Sequence, residues 1–194
     1  MGYETSTKRK DDGSRTEFQI IIPGFYIPRW FTHRRLGNSV RIELPPNWCN
    51  SSWMGFALCA LFDAFFPLNE FISASVDKTF GLRAHVIALG GDMPHRHYSS
   101  DIFFGLTSGV CHIWLLYLSR DSWFATVGNG ECNQIEVTFE NCGPRLNVWN
   151  CGVNLVYEQD VEETLIKQLH NATLATSLLE RVRMGIVYMN LTIT

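Results

Sequence analysis

Short runs of alternating apolar and polar residues, cut by glycine, proline and asparagine, recur along most of this chain and restrict its fold. Val40, Ile42 and Leu44 alternate with Ser39, Arg41 and Glu43, and Ile135, Val137 and Phe139 alternate with Glu136 and Thr138. A period of two puts every second side chain on one face, so each run predicts a strand with one buried side. Residues 18–22, 82–89, 112–118, 145–149 and 153–157 are further strand candidates. Residues 53–62 are almost continuously apolar. Gly55 and the aromatic residues there favour a central strand over a helix, because glycine weakens a helix interior by about 1 kcal/mol. Pro45-Pro46-Asn47, Gly90-Gly91-Asp92, Gly128-Asn129-Gly130 and Asn141-Cys142-Gly143-Pro144 mark turns between the runs. Seven or more short strands with no interleaved helices predict an all-β, antiparallel two-sheet β-sandwich of the jelly-roll kind.

The 194 residues are 46% apolar and 18% charged, which suits one domain with a real core. Residues 1–16 are polar and of mixed charge and read as a leader or linker, as if the domain were excised from a longer intracellular protein. The sandwich is expected over residues 17–160. Beyond it, Asp160 with Glu163 three residues later reads as an N-cap, and Leu165, Ile166, Leu169, Leu174, Leu178 and Val182 recur near helical spacing. Residues 161–194 are therefore expected to form a C-terminal helical appendage and a tail. The net charge of −3 argues against a nucleic-acid partner. No run of 18 apolar residues exists, which argues against a membrane span. The expected location is the cytoplasm, with the nucleus as a second option. Of the six cysteines, Cys59 lies inside an apolar run and reads as a small buried hydrophobe, and no disulfide is expected.

Few residue groups suggest chemistry. His95 and His97 have metal-ligand character, but four-ligand zinc spacing is missing, so no metal and no cofactor are expected. Cys111 and His112 are adjacent and would face opposite sides of a strand. No nucleophile elbow, phosphate-binding loop or carboxylate pair is present, and no enzymatic activity is expected. Trp30, Trp48, Trp53 and Trp114 sit in apolar surroundings and read as core, with Trp30-Phe31 plugging one end of the sandwich. Trp123 follows the polar stretch Ser119-Arg120-Asp121-Ser122 and reads as a loop residue.

An ordered set of motifs narrows the fold class further. Pro23-Gly24, Ile27-Pro28-Arg29-Trp30-Phe31, His33, Gly37-Asn38-Ser39, Ile42-Glu43-Leu44-Pro45, Trp48 and Gly55-Phe56-Ala57-Leu58-Cys59-Ala60 come first. His112-Ile113-Trp114-Leu115-Leu116-Tyr117 follows, and Cys151-Gly152-Val153-Asn154-Leu155-Val156-Tyr157-Glu158 closes the series. Together they resemble the post-LRR domain of plant TIR-NB-LRR disease-resistance receptors, also called the C-terminal jelly-roll and Ig-like domain. The acidic residue that often precedes the strand histidine in that family is Cys111 here. The resemblance implies a non-catalytic module that helps the adjacent leucine-rich repeats of the same receptor bind a pathogen effector protein. Pro23, Gly24, Pro28, Trp30, Phe31, Gly37, Trp48, Cys151, Gly152 and Tyr157 are then scaffold residues. Partner contacts are expected in three loops, residues 63–79, 90–101 and 119–130, with His95, Arg96, His97, Tyr98 and Trp123 as the contacts. The alternative is a lectin-like jelly roll that binds carbohydrate.

Overall fold

The computed structural model describes residues 17–64, 79–90, 96–105, 110–128, 132–143 and 146–161. The elements run in the order β1 (Glu17–Pro23), β2 (His33–Leu36), β3 (Ser39–Glu43), β4 (Trp53–Ala64), β5 (Thr79–Leu89), β6 (His97–Gly105), β7 (His112–Ser119), α1 (Arg120–Thr126), β8 (Gln134–Asn141) and β9 (Leu146–Tyr157). They form a five-stranded sheet, β1-β7-β4-β9-β2, and a four-stranded sheet, β3-β8-β5-β6. Every pairing is antiparallel. The chain is the two-sheet β-sandwich that the alternation predicts.

The inner faces meet in one core. β4 contributes Phe56, Leu58, Ala60 and Phe62, and β7 contributes Trp114, Leu116 and Leu118. Across from them stand Leu82, Ala84 and Val86 of β5 with Ile135, Val137 and Phe139 of β8. The outer face of the five-stranded sheet is apolar as well. Ala57, Cys59 and Leu61 alternate with the inner set on β4, as do Ile113, Leu115 and Tyr117 on β7. Strands buried on both faces read as continuous apolar runs, which is why residues 53–62 and 112–118 show no alternation. What covers that outer face is the β1–β2 connection, residues 24–32, which lays Ile27 and Phe31 across it as a strap. The outer face of the four-stranded sheet is polar instead.

Four readings need correction. β6 lies in what looked like a polar loop. Its pattern is regular, with Tyr98, Ser100, Ile102 and Phe104 inward, but a serine and a tyrosine dilute the apolar signal. β2 is exposed at all four residues and carries no apolar alternation to find. Residues 146–149 and 153–157 belong to one long strand, β9, which passes a register shift opposite Leu61 and Phe62, and residue 145 lies outside the described residues. Finally, residues 119–128 are not an open loop, and residues 129 and 130 lie outside the described residues. Ser119 caps α1, its hydroxyl accepting from the Ser122 amide at 3.2 Å. Serine at that position satisfies one of the amides a helix start leaves unpaired.

A helix does begin after β9, at residues 158–161. Asp160 is not its cap, however. Its carboxylate reaches back to accept from the Tyr157 amide at 2.9 Å, the role of the third helical residue in a capping box. Tyr157 is thus the capping position, three residues earlier than the sequence suggested. Residues 1–16 and 162–194, expected as leader and helical appendage, lie outside the described residues.

Candidate recognition surface

The motif residues build the scaffold through specific contacts. Pro23 ends β1 opposite His112, and the Gly24 amide donates to the Cys111 carbonyl at 3.0 Å. Pro28 accepts from the Phe31 amide at 3.1 Å, closing a turn that aims Phe31 at the sheet. Phe31 is fully buried and lies over Gly152, where a Cβ would come within 3.3 Å of its ring. Trp30 stacks on Phe31 with ring centroids 4.0 Å apart and is only half-buried. The pair therefore covers a sheet face and does not plug an end. Gly37 takes a positive φ of 93° at the corner into β3. Asn38 does not share that conformation. Its side-chain amide donates to the Phe139 carbonyl at 3.2 Å instead.

Trp48 closes one end. Its indole donates to the Cys132 carbonyl at 3.0 Å, and its ring meets Trp53, Phe56 and Trp123 at centroid distances of 4.6, 5.4 and 6.0 Å. The Tyr157 hydroxyl donates to the Trp48 carbonyl at 3.0 Å, so the opening and closing motifs are tied directly together. Cys151 is buried in the inner core on β9.

Of the expected contacts, Arg96 and His97 are exposed. His95 lies outside the described residues, as do residues 65–78 of the first loop. Tyr98 and Trp123 are corrections. Strand alternation turns Tyr98 inward, to 3% exposure, and the Ser119-capped helix turns Trp123 into the Trp48 cluster, to 0%. Arg96 reaches across to Gly128, so the start of β6 and the end of α1 share one rim of the sandwich.

From that rim the polar outer face of the four-stranded sheet extends. His97 stands 6.0 Å from His85, ring to ring, and His85 Nε2 is 3.2 Å from Glu140. Arg83 grips Asp101 in a two-pronged salt bridge at 2.6 and 2.8 Å, and these hydrogen bonds hold its guanidinium still more firmly charged. Arg41 pairs with Glu136 at 2.8 Å. Cross-strand partners in the register thus largely satisfy one another on this face.

The remaining chemistry-bearing groups are structural. His112 Nδ1 donates to the Val110 carbonyl at 2.8 Å while the ring stacks on Phe62, and burial lowers its pKa below the usual 6.5. Cys111 packs toward the opposite face, in the outer cluster, so the two do not form a nucleophilic pair. Among the described residues no three His, Cys, Asp or Glu side chains gather to hold a metal ion. No described helix is long and apolar enough to cross a membrane.

Two groups of exposed residues had no signal in the reading by loops. One is Phe25 and Tyr26 at the start of the strap, 61% and 82% exposed. The other is the β2 edge, where Arg34, Arg35 and Leu36 stand beside Trp149 of β9.

Comparison with known proteins agrees with this architecture. Residues 22–162 match the C-JID domain family. Disease resistance protein RPS4 of Arabidopsis thaliana is 27% identical over 177 residues, covering 80% of this chain and 14% of that protein. Disease resistance-like protein DSC1 of the same plant is 51% identical over 39 residues, 20% of this chain and 3% of that protein. Disease resistance protein RPP2B is 40% identical over 42 residues, 22% of this chain and 4% of its own length. The chain thus spans about one-seventh of the length of the RPS4 protein it matches. It belongs to the C-JID family, the C-terminal jelly-roll domain that follows the leucine-rich repeats of plant disease-resistance receptors.

Proposed function

We infer that this domain is a non-catalytic recognition module that works beside the leucine-rich repeats of its own receptor to bind a pathogen effector protein. The observation that carries the reading is the family match over residues 22–162. The geometry is in keeping with it. A rigid double-layered core fixes the strands, while exposed side chains sit at a rim and an edge. Neither cofactor, nucleic acid nor membrane enters the reading, and the working location is the cytoplasm or nucleus. Arg96 and His97 remain the preferred rim contacts, with His95 beside them in sequence, and residues 65–78 remain a separate proposed contact segment. Arginine suits such a role because its fixed fork of donors gives up little freedom on binding.

The test is an exchange of residues 65–78 and 91–97 for those of another family member, made in the intact receptor. Loss of effector binding and of the immune response, with normal accumulation of the receptor, is the expected result. Unchanged binding and response would place recognition outside these two segments.

A further inference from the structure

We propose that the β2 edge of the five-stranded sheet is a docking site for an extended, acidic protein segment, which adds to the sheet as a further strand. The proposal deepens the recognition reading by naming a surface and the chemistry of what it takes.

Four observations converge on this edge. First, β2 is the terminal strand of its sheet and is exposed at all four residues. The Gly37 amide donates to the Trp149 carbonyl at 2.8 Å, so alternation along the antiparallel ladder turns the amide and carbonyl groups of Arg34 and Leu36 away from β9. An edge with outward backbone groups is the template for strand addition.

Second, the edge is basic without internal compensation. The ion pairs among the described residues are Arg41–Glu136, Arg83–Asp101 and His85–Glu140. Arg34 and Arg35 enter none of them, although the chain as a whole carries −3. Arg34 and Arg35 point to opposite faces of the strand, so a segment laid along this edge would meet an unpaired guanidinium on each side, and such groups select carboxylates.

Third, charge alone would be the ordinary device that keeps an edge strand from aggregating, yet this edge also exposes large apolar side chains. Leu36 is 82% exposed and Trp149 51%. Val148 and Cys151 both pack on the inner core, so the two residues between them, Trp149 and Asn150, share the outer side at the register shift. Leu36 pairs with Asn150 and lies on that same side. Arg34 pairs with Gly152 there, its Cγ 3.5 Å from where a Gly152 Cβ would stand. The strap stops at Phe31, over Gly152, and leaves Arg34, Leu36 and Trp149 uncovered. Arginine and tryptophan are among the residue types enriched at binding hot spots.

Fourth, the edge is remote from the preceding part of the chain. β1, the first strand, is the opposite edge of the sheet, four strand spacings or about 19 Å away. Strand addition at β2 therefore leaves β1 and its pairing with β7 untouched.

The test uses the 194-residue chain, isotopically labelled, titrated with a peptide of alternating aspartate and valine and, in parallel, with its lysine–valine counterpart and a single-stranded oligonucleotide. The acidic peptide is expected to shift amide resonances at residues 33–37 and 147–150 and to slow hydrogen exchange at the Arg34 and Leu36 amides. Leu36→Pro removes the outward donor and leaves the β9 ladder intact, and Arg34→Glu reverses the charge. Each variant, shown folded by an unchanged melting profile, should weaken peptide binding by about tenfold or more. No binding of the acidic peptide, shifts centred elsewhere, or equal binding to both variants overturns the proposal. Tighter binding of the oligonucleotide at this edge makes it a nucleic-acid surface and equally overturns it. In the intact receptor the rim exchange and the Leu36→Pro variant separate the two readings: an effector response lost with the first and kept with the second sinks the edge while recognition stands.

Discussion

Gly55 is held where no other residue fits. It has a φ of 156° and lies between β7 and β9 just past the Met54 register shift, and a Cβ there would overlap the Leu118 carbonyl oxygen. Backbone cannot yield as a flexible side chain does, so Gly55→Ala should lower stability by about 2–4 kcal/mol. Gly37 also has positive φ, but nothing stands within 4 Å of its missing Cβ. Gly37→Ala should therefore cost only about 1 kcal/mol, from conformation alone. Urea unfolding of the two variants measures the difference, and equal losses would mean that close approach at Gly55 is unimportant. His112 gives a second prediction. Its pKa is lowered by burial, so the unfolded chain binds a proton at this site more readily than the folded one. The stabilisation is complete above the ordinary value of 6.5 and is lost as pH falls toward the lower folded value. Melting temperature should drop between pH 7.5 and 5.5 more in the native chain than in His112→Phe. Parallel curves would show that the ring is as easily protonated folded as unfolded. Single residues were the least legible scale in the sequence. Tyr98 and Trp123 have the chemistry of contacts, but whether such a residue faces a partner or the core depends on strand phase and on one serine cap.

Elements were legible where burial wrote a pattern. β3 and β8 bury one face and alternate visibly, whereas β4 and β7 bury both and read as solid apolar runs. β2 could not be read, because an edge strand with four exposed residues owes its existence to pairing with β9 and not to its own composition. The strap could be recognised as a motif while its place could not. That Trp30-Phe31 covers a face follows from the outer apolar residues of β4 and β7, which lie far along the chain. The two rings should differ in energy accordingly. Phe31 is fully enclosed, and Phe31→Ala should cost roughly 3–5 kcal/mol. Trp30 keeps one side in water, and Trp30→Ala should cost about 1–2 kcal/mol. Denaturant midpoints of the two variants check the order, and a larger loss at Trp30 would mean that the tryptophan is the true lid of the outer cluster.

At the scale of the molecule, a sandwich with a second apolar layer stores its cysteines in ways that differ from one another. Cys59, Cys132 and Cys151 are buried; Cys49, Cys111 and Cys142 are partly accessible; all six are free thiols. Burial pushes the Cys59 thiol well above its ordinary value and pushes Cys132 and Cys151 up to about 11. Thiolate is the reactive form, and at pH 8 a thiol of that pKa is ionised in only about one molecule in a thousand. The three buried thiols are thus shielded twice, by packing and by ionisation. The charge of Cys49 raises Cys132 further, as that of Cys151 raises Cys59. A core of this extent has no need of a disulfide. The expected outcome is therefore a melting temperature the same within about 1 °C with and without reductant, since a bridge closing a long loop would change it by many degrees. Titration with an aromatic disulfide reagent should find three thiols reacting in the native chain and the other three only once denaturant unfolds it. A large fall in melting temperature on reduction, or rapid modification of all six, would mean that the thiols are bridged or that the outer layer opens far more readily than its packing implies.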